Sequence, residues 1–410
     1  MSFTTRQLDN GLVLIGEVNP SAESAAVGFF VRTGARDEIL EINGVSHFLE
    51  HMLFKGTERL SPCEVNEAFD RTGAQFNAFT SEESTVYYAA VLPEYLEEVT
   101  RLWIELMRPA LREEDFAIEK NVIKEEIAMY MDMPSFDVMD RCRSLHFGEH
   151  PCANSVLGSI ESIDALSAGR MREYFNRRYS PNNLVFACTG RFDPDRIFAA
   201  VEQGCSGWPV EPADRPMEHC PGSGLRRRIE KANLVREHIC LMSEGVAAQD
   251  GRRFAAHMLA CIIGDSVGSR FYWELVDTAL ADEASMQFSA MDGTGVFCSY
   301  ISCAGNKLQT VYGVLERVFA QLAAHGVTED ELTMARNKVL STLVLKNEVP
   351  MGRLVDLGFN WMYLGRYCPI EQDVEAIKAV TVEDVVGLIR DLRPGRFTCL
   401  TLGPLTESLS

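Results

Sequence analysis

The amino-acid sequence predicts an α+β protein built from two copies of one lobe, and three observations support this prediction. Long stretches repeat each other at a constant offset, each half combines strand-like and helix-like segments, and a Gly- and Pro-rich segment separates the halves. We therefore expect a first lobe at residues 1–203, a linker at 204–226 and a second lobe at 227–410.

The helical part of the repeat aligns without gaps. EEDFAIEKNVIKEEIAMYMDMP, which starts at Glu113, matches EDELTMARNKVLSTLVLKNEVP, which starts at Glu329. Apolar positions coincide, and Pro134 pairs with Pro350 at the end of the stretch. The alignment predicts a long helix at the same place in each lobe.

Each half also contains a β-branched and aromatic segment that is typical of strands, followed by an amphipathic helix. In the first half, AQFNAFTSEESTVYYAAVL precedes PEYLEEVTRLWIELM; in the second, ASMQFSAMDGTGVFCSYIS precedes NKLQTVYGVLERVFAQL. The shared order of elements predicts one α+β architecture used twice.

Composition limits the class of protein. The 410 residues are 46% hydrophobic, and 59 acidic side chains against 39 basic ones give a net charge of −20, which excludes a nucleic-acid-binding protein. No run of about 18 apolar residues predicts a membrane span, and the N-terminus lacks the pattern of a secretion signal. Twelve cysteines without a CxxC spacing are expected to be reduced thiols. We expect a cytoplasmic protein that contacts no membrane.

The stretch SHFLEHMLFKGT places two histidines and a glutamate on one side of a predicted helix. His47 and His51 are four residues apart, so their imidazoles project from nearly the same face, and Glu50 joins that face. Two imidazoles are ligands that zinc prefers, and a carboxylate between them suits a general base for a metal-bound water. The order H-x-x-E-H is the inverse of the commoner zinc-protease motif.

A third ligand is expected from the helix EEDFAIEKNVIKEEIAMY. Glu119 and Glu126 are seven residues apart, so they share a mostly apolar stripe with Ile123 and Tyr130, whereas Glu125 points away from it. Carboxylates on a core-facing stripe need a partner, and a divalent cation is one. We predict Glu126 as the ligand and Glu119 as a supporting residue; a well-solvated surface face is the alternative.

The two halves differ where the chemistry is expected. Four of the five acidic or imidazole side chains of the predicted site have a different type of residue at their repeat position, whereas His51 pairs with His257. The differing pairs are His47 with Arg253, Glu50 with Ala256, Glu119 with Ala335, and Glu126 with Thr342. This asymmetry predicts that only the first lobe carries the site.

HFLEHMLFKGT, with Glu126 downstream in IEKNVIKEEIAMY, resembles the pitrilysin/insulinase family of zinc peptidases, in particular its mitochondrial processing peptidase-like branch. The resemblance extends from LDNGLVL through NAFTSEESTVYY to the C-terminal lobe. It implies two homologous lobes, each with a mostly antiparallel mixed sheet and helices packed on one face. It also implies one Zn²⁺ per chain held by His47, His51 and Glu126, with Glu50 as the base and Glu119 supporting the site.

The same resemblance implies how substrate binds. A short or unfolded peptide would add as an extended strand to a sheet edge formed by four residues, inside the chamber of a clamshell. These residues are Asn77, Ala78, Phe79 and Thr80. An ordinary core strand would show a similar sequence. A homodimer is implied, with a heterodimer containing a related non-zinc subunit as the alternative.

The second lobe departs from the family pattern. Relatives carry an arginine and a tyrosine there that steady the substrate carbonyl; the matching positions are Val276 and either Glu283 or Asp282. Arg270 and Tyr272 lie nearby and are candidates to replace them, but a helix start with an inward-packed aromatic is the preferred explanation of both residues. A partner chain is another possible source of these groups.

Two further motifs predict no site. HFGEH at 146–150 repeats H-x-x-E-H, but Gly148 and Pro151 should end a helix there. GDSVG around Ser266 fits a serine-hydrolase elbow, yet a helix-like segment precedes it instead of a strand. The sequence therefore predicts a zinc-dependent metalloendopeptidase, with a non-catalytic peptide-holding or assembly subunit and a serine hydrolase as the competing classes.

Overall fold

The computed structural model describes residues 1–404, which form two compact units, each built on one sheet. The predicted α+β class with two lobes is confirmed. The first unit comprises residues 1–127, 154–216 and 344–368. The second unit comprises residues 128–153, 217–343 and 369–404.

The first unit contains a six-stranded sheet with the order β1-β2-β6-β3-β5-β4. Only the pair of β2 and β6 is parallel, so the sheet is mixed and mostly antiparallel, as predicted. The strands are β1 (Ser2–Gln7), β2 (Val13–Val18), β3 (Ala25–Val31), β4 (Gln75–Thr80), β5 (Thr85–Val91) and β6 (Leu184–Gly190). Strand β4 lies at an edge and pairs with β5 alone.

Helices cover both faces of this sheet, whereas the family resemblance implies helices on one face. The difference arises because a helix from the second half of the chain, at residues 350–364, packs on β3 and β6. Successive residues of a strand point to opposite faces: on β3, Phe29 packs against Phe186 and Trp208, whereas Phe30 packs against Phe359 of a later helix. The helices of this unit are α1 (Val45–Leu53), α2 (Pro62–Thr72), α3 (Leu96–Leu106), α4 (Glu113–Met131, up to residue 127), α6 (Ile160–Ala165), α7 (Ala168–Arg178), α8 (Pro194–Cys205) and α12 (Pro350–Leu364).

The second unit contains a five-stranded sheet with the order β7-β11-β8-β10-β9, in which only β7 and β11 are parallel. The strands are β7 (Arg226–Glu230), β8 (Arg236–Glu244), β9 (Glu283–Ala290), β10 (Gly295–Ala304) and β11 (Thr398–Gly403). The helices are α5 (Pro134–Phe147), α9 (Arg253–Gly264), α10 (Leu308–His325), α11 (Glu329–Asn347, up to residue 343), α13 (Ile370–Ala379) and α14 (Val382–Leu392).

One helix of each repeat belongs to the unit formed mainly by the other half of the chain. Helix α5 packs on β8 and β11 in the second unit, and its repeat counterpart α12 packs on β3 and β6 in the first unit. The predicted boundaries follow the linear repeat, which carries no information on such an exchange. The predicted boundaries therefore describe the two halves of the repeat, for which they stay a prediction, and not the two packed units.

Part of the predicted linker is fixed within the first unit. Arg215 is buried and pairs with Asp37 at 2.6 Å, and Asp37 also pairs with Arg178 at 2.8 Å. Arg36 donates a hydrogen bond to the carbonyl of Pro216 at 3.0 Å. Because buried charges are stable only when they are paired, this cluster holds the chain up to residue 216 in place.

Replacing Asp37 with asparagine should destabilise the first unit strongly. The change leaves two buried guanidinium groups without their shared carboxylate, and removing one partner of a buried pair costs about 3–5 kcal/mol. The midpoint of urea unfolding measures the effect. Glu23→Gln removes the exposed carboxylate that pairs with Arg191 at 3.3 Å and should change the free energy of unfolding by less than about 1 kcal/mol; equal effects of the two substitutions would contradict the assignment.

Candidate metal centre

The beginning of α1 is fixed by a buried carboxylate rather than by the side chain of its first residue. Glu38 accepts hydrogen bonds from the backbone N–H groups of Gly44 and Ser46, both at 2.7 Å. Gly44 has a φ of +92°, a backbone conformation that favours glycine. An acceptor at a helix N-terminus satisfies donors that lack a partner within the helix. The histidines that follow are therefore held on a well-anchored helix.

The two histidines of α1 face one carboxylate of α4. Nε2 of His47 lies 3.8 Å from Oε2 of Glu126, and Nε2 of His51 lies 3.4 Å from the same oxygen. The three ligand atoms all lie within 4.8 Å of one another, and within residues 1–404 no other three His, Cys, Asp or Glu side chains are arranged in this way. Ligands about 2.0–2.1 Å from a tetrahedral zinc ion lie about 3.3 Å apart, so the donor set fits zinc.

Glu119 orients the second imidazole. Nδ1 of His51 donates a hydrogen bond to Oε1 of Glu119 at 2.8 Å, which turns Nε2 of the same ring towards Glu126. The other oxygen of Glu119 pairs with Lys55 at 2.6 Å, and the glutamate is 3% exposed. A carboxylate on the outer nitrogen of a histidine ligand is the usual support of a metal site.

Protonation of the two imidazoles is set by different surroundings. Burial and the neighbouring His51 lower the pKa of His47 to about 3, so its ring is neutral and can donate an electron pair to a metal. Burial would also lower the pKa of His51, but its hydrogen bond with Glu119 and the charges of Glu126, Glu119 and Glu50 outweigh burial and raise it. The carboxylates thus favour positive charge at this point.

Glu50 lies beside the ligand set and is held by a hydroxyl group. Oγ1 of Thr80 donates a hydrogen bond to Oε2 of Glu50 at 2.7 Å. Burial raises the pKa of Glu50, and the charge of Glu126 adds to this, whereas the hydrogen bond from Thr80 and the charge of His51 oppose it. A carboxyl with a raised pKa, anchored through one oxygen, has the properties of a general base.

The four residues predicted to bind substrate form the edge strand β4. Asn77 is exposed, Ala78 is buried, and Phe79 packs between Tyr88 and a helix. The side of β4 away from β5 has no partner strand among the described residues, so its backbone groups can pair with an added strand. Thr80 instead directs its side chain to Glu50.

The two candidates in the second unit have structural partners. Arg270 contacts both oxygens of Glu331, at 2.7 and 3.0 Å, and also donates to the carbonyl of Gly326 at 2.8 Å. The ring of Tyr272 lies edge-on to that of Trp273, with 4.9 Å between centroids. Val276 ends the π-helical turn Tyr272–Val276. The structure therefore gives Arg270 a packing role.

The two dismissed motifs have the expected geometry. Helix α5 ends at Phe147, and Gly148 follows with a φ of +59°, so the histidines of HFGEH do not share a helix face. His146 bonds Thr398 at 3.1 Å. Ser266 follows a helix instead of a strand, as the sequence predicts.

Three contacts of the site were not predicted from the sequence: Glu38 at the start of α1, Lys55 on Glu119, and Thr80 on Glu50. Lys55 follows His51 by four residues, so a helical spacing could have indicated it. Thr80 and Glu50 are 30 residues apart and have no local signal, and Glu38 reaches the start of α1 across an irregular segment of six to eight residues that has no helical spacing.

Comparisons with known proteins identify the family of the chain. Residues 13–159 match the family described as insulinase, peptidase family M16, and residues 165–339 match the peptidase M16 inactive domain. The chain is 31% identical to an uncharacterized zinc protease of Streptomyces coelicolor, over 98% of this chain and 89% of that one. It is 30% identical to the uncharacterized zinc protease YmxG of Bacillus subtilis, over 96% and 97%.

The fold is also found among solved structures. A protease from Helicobacter pylori superposes with a TM-score of 0.90 at 19% identity, over 98% of this chain and 100% of that one. This similarity concerns the fold. The family match and the 31% identity to the Streptomyces coelicolor protein show that the chain belongs to the insulinase family, peptidase family M16.

Proposed function

We propose that the protein is a zinc-dependent metallopeptidase that hydrolyses short or unfolded peptides bound in an extended form. The observation that carries the proposal is the convergence of His47, His51 and Glu126, with Glu50 beside them but outside the ligand set. These three side chains would hold one zinc ion, which would supply a Lewis acid for water and the substrate carbonyl.

The remaining chemistry belongs to the side chains. Glu50 takes the proton of the attacking water on the oxygen that Thr80 leaves free, because Thr80 occupies Oε2. It then delivers that proton to the departing amide nitrogen. Glu119 keeps the ring of His51 in one orientation throughout.

Substrate binding is proposed at β4. The unpaired edge offers backbone N–H and C=O groups to any extended chain, so affinity would depend little on sequence. This suits peptides that lack fixed structure. The clamshell chamber, the homodimer or heterodimer and the cytoplasmic location stay predictions; among residues 1–404, no helix is long and apolar enough to cross a membrane.

A second candidate is a zinc subunit that needs a partner chain for activity. Val276 occupies the arginine position of the family, and Arg270 is committed to Glu331. A partner chain would then supply the groups that steady the substrate carbonyl. By contrast, the complete ligand set and Glu50 argue against a purely peptide-holding subunit.

Glu50→Gln should bind zinc normally and lose peptidase activity by about 10²–10⁴-fold, since only the proton acceptor is removed. The measurements are zinc per chain by atomic absorption and cleavage of a mixed peptide pool. Glu125→Gln, an exposed neighbour of Glu126, is the matched control and should keep both properties. Full activity in Glu50→Gln would exclude this residue as the base.

Glu119→Gln should weaken zinc binding by about 10–100-fold, because the amide holds the ring of His51 less firmly than the carboxylate. Glu126→Gln should weaken binding more, since it removes a ligand. Competition with a chromophoric chelator measures both affinities. If Glu119→Gln bound zinc as tightly as the parent protein, the supporting role of Glu119 would be wrong.

Thr80→Val should lower kcat roughly tenfold with little change in KM or bound zinc, because Glu50 loses a charged hydrogen bond while β4 keeps its shape. Thr80→Ser should restore most of the rate. A rise in KM without a fall in kcat would instead assign Thr80 to substrate binding.

A further inference from the structure

The second unit contains a cavity of about 720 Å³ between α10, α14 and the segment 393–397. This size falls in the range of about 300–1,000 Å³ that is usual for small-molecule sites. The buried part of its wall is apolar. Its residues are Phe319, Leu322, Ile389, Pro394 and Phe397.

The exposed part of the wall is basic. Four arginines line the cavity against a single carboxylate, Glu316, although the whole chain has far more acidic than basic residues. The four are Arg226, Arg390, Arg393 and Arg396. This local reversal of charge makes the opening attractive to an anion.

Three of the four arginines are available to a ligand, whereas the guanidinium of Arg226 lies over the ring of Phe397, 5.1 Å from its centroid. Within residues 1–404, Arg393 and Arg396 form no ion pair. Arg390 only approaches its neighbour Asp391, at 3.8 Å, and Arg226 lies 3.7 Å from the exposed Glu316. Exposed pairs at such distances contribute little energy, so neither is a strong competitor for a bound anion.

Tight backbone turns lie at the rim of this cavity. Arg393 ends α14 in a left-handed conformation with a φ of +49°, which is uncommon for a residue other than glycine or asparagine. Gly326 has a φ of +67°, and a Cβ there would come within 2.6 Å of Val386. A Cβ on Gly395 would lie 3.3 Å from Phe319. Side chains of α14 and α10 therefore pack closely against these two glycines.

We propose that this cavity binds a small carboxylic acid with an apolar chain, of the size of a medium-chain fatty acid. The chain would lie on the apolar wall, and the carboxylate would form paired hydrogen bonds with arginine guanidinium groups at the opening. A neutral apolar molecule would leave the arginines unused, and an inorganic anion would leave the apolar wall exposed to water. None of the residues of the metal centre lines the cavity.

Titration of the intact protein by calorimetry, with decanoate as the probe, tests the proposal. Decanoate should bind with one saturable site per chain. Decanol, which has the chain without the charge, should bind at least roughly tenfold more weakly, and acetate and sulfate should show no saturable binding. Equal affinity for decanol, saturable binding of acetate or sulfate, or no binding of decanoate would each overturn the proposal.

Two variants locate the site. Arg393→Gln combined with Arg396→Gln should weaken decanoate binding by roughly tenfold or more, and Ala323→Phe should fill the cavity and abolish binding. Arg227→Gln changes an exposed arginine on the same strand as Arg226, outside this cavity, and should bind decanoate normally. Thermal unfolding midpoints and zinc content establish that each variant is folded. Unchanged affinity in the double variant or in Ala323→Phe would exclude this cavity.

Discussion

The approach of α4 to α1 is the constraint on which the candidate metal centre depends. Helix α4 carries two carboxylates on one face, about two turns apart, and both face the imidazoles of α1. The rings of Phe48 and Phe116 stack between the helices, with 4.8 Å between centroids and 11° between planes. This apolar contact fixes the distance at which Glu126 faces both Nε2 atoms, so packing energy, and not the polar groups alone, determines the geometry of the ligand set.

The polar groups follow from that approach because each needs a partner once it is buried. Glu119 is almost fully buried, and burial would raise its pKa, but hydrogen bonds from His51 and Lys55 outweigh burial and lower the pKa. The carboxylate therefore stays ionised beside the imidazole that it orients. Lys55 pairs with Glu119, and Glu119 in turn holds the ring of His51. The position of α4 therefore determines where the ring nitrogen that faces Glu126 lies.

The sequence predicted those parts of the site that lie on a single helix or on matching positions of the repeat. The facing of His47 and His51 follows from a spacing of four, and Glu126 is predicted because it shares an apolar stripe with Glu119. The repeat adds that Thr342 stands at the matching position of the second half. Contacts between distant segments were beyond this reasoning: Thr80 meets Glu50 only because β4 ends beside α1. The exchange of α5 and α12 between units was missed for the same reason, since periodicity shows which face of a helix is apolar but not which sheet it covers.

The second unit shows how the same frame is stabilised without the site. His257, the counterpart of His51, is exposed and packs edge-on against Phe288 with 4.9 Å between ring centroids, so an aromatic ring takes the place of the carboxylate that His51 faces. Arg270 cannot easily leave its place, because a move would break two hydrogen bonds to Glu331 and one to Gly326, a residue of the cavity wall. Charge-assisted hydrogen bonds of this kind are among the stronger ones in proteins. If stabilisation of the substrate carbonyl requires a further cation, a second chain can supply it without breaking the hydrogen bonds of Arg270.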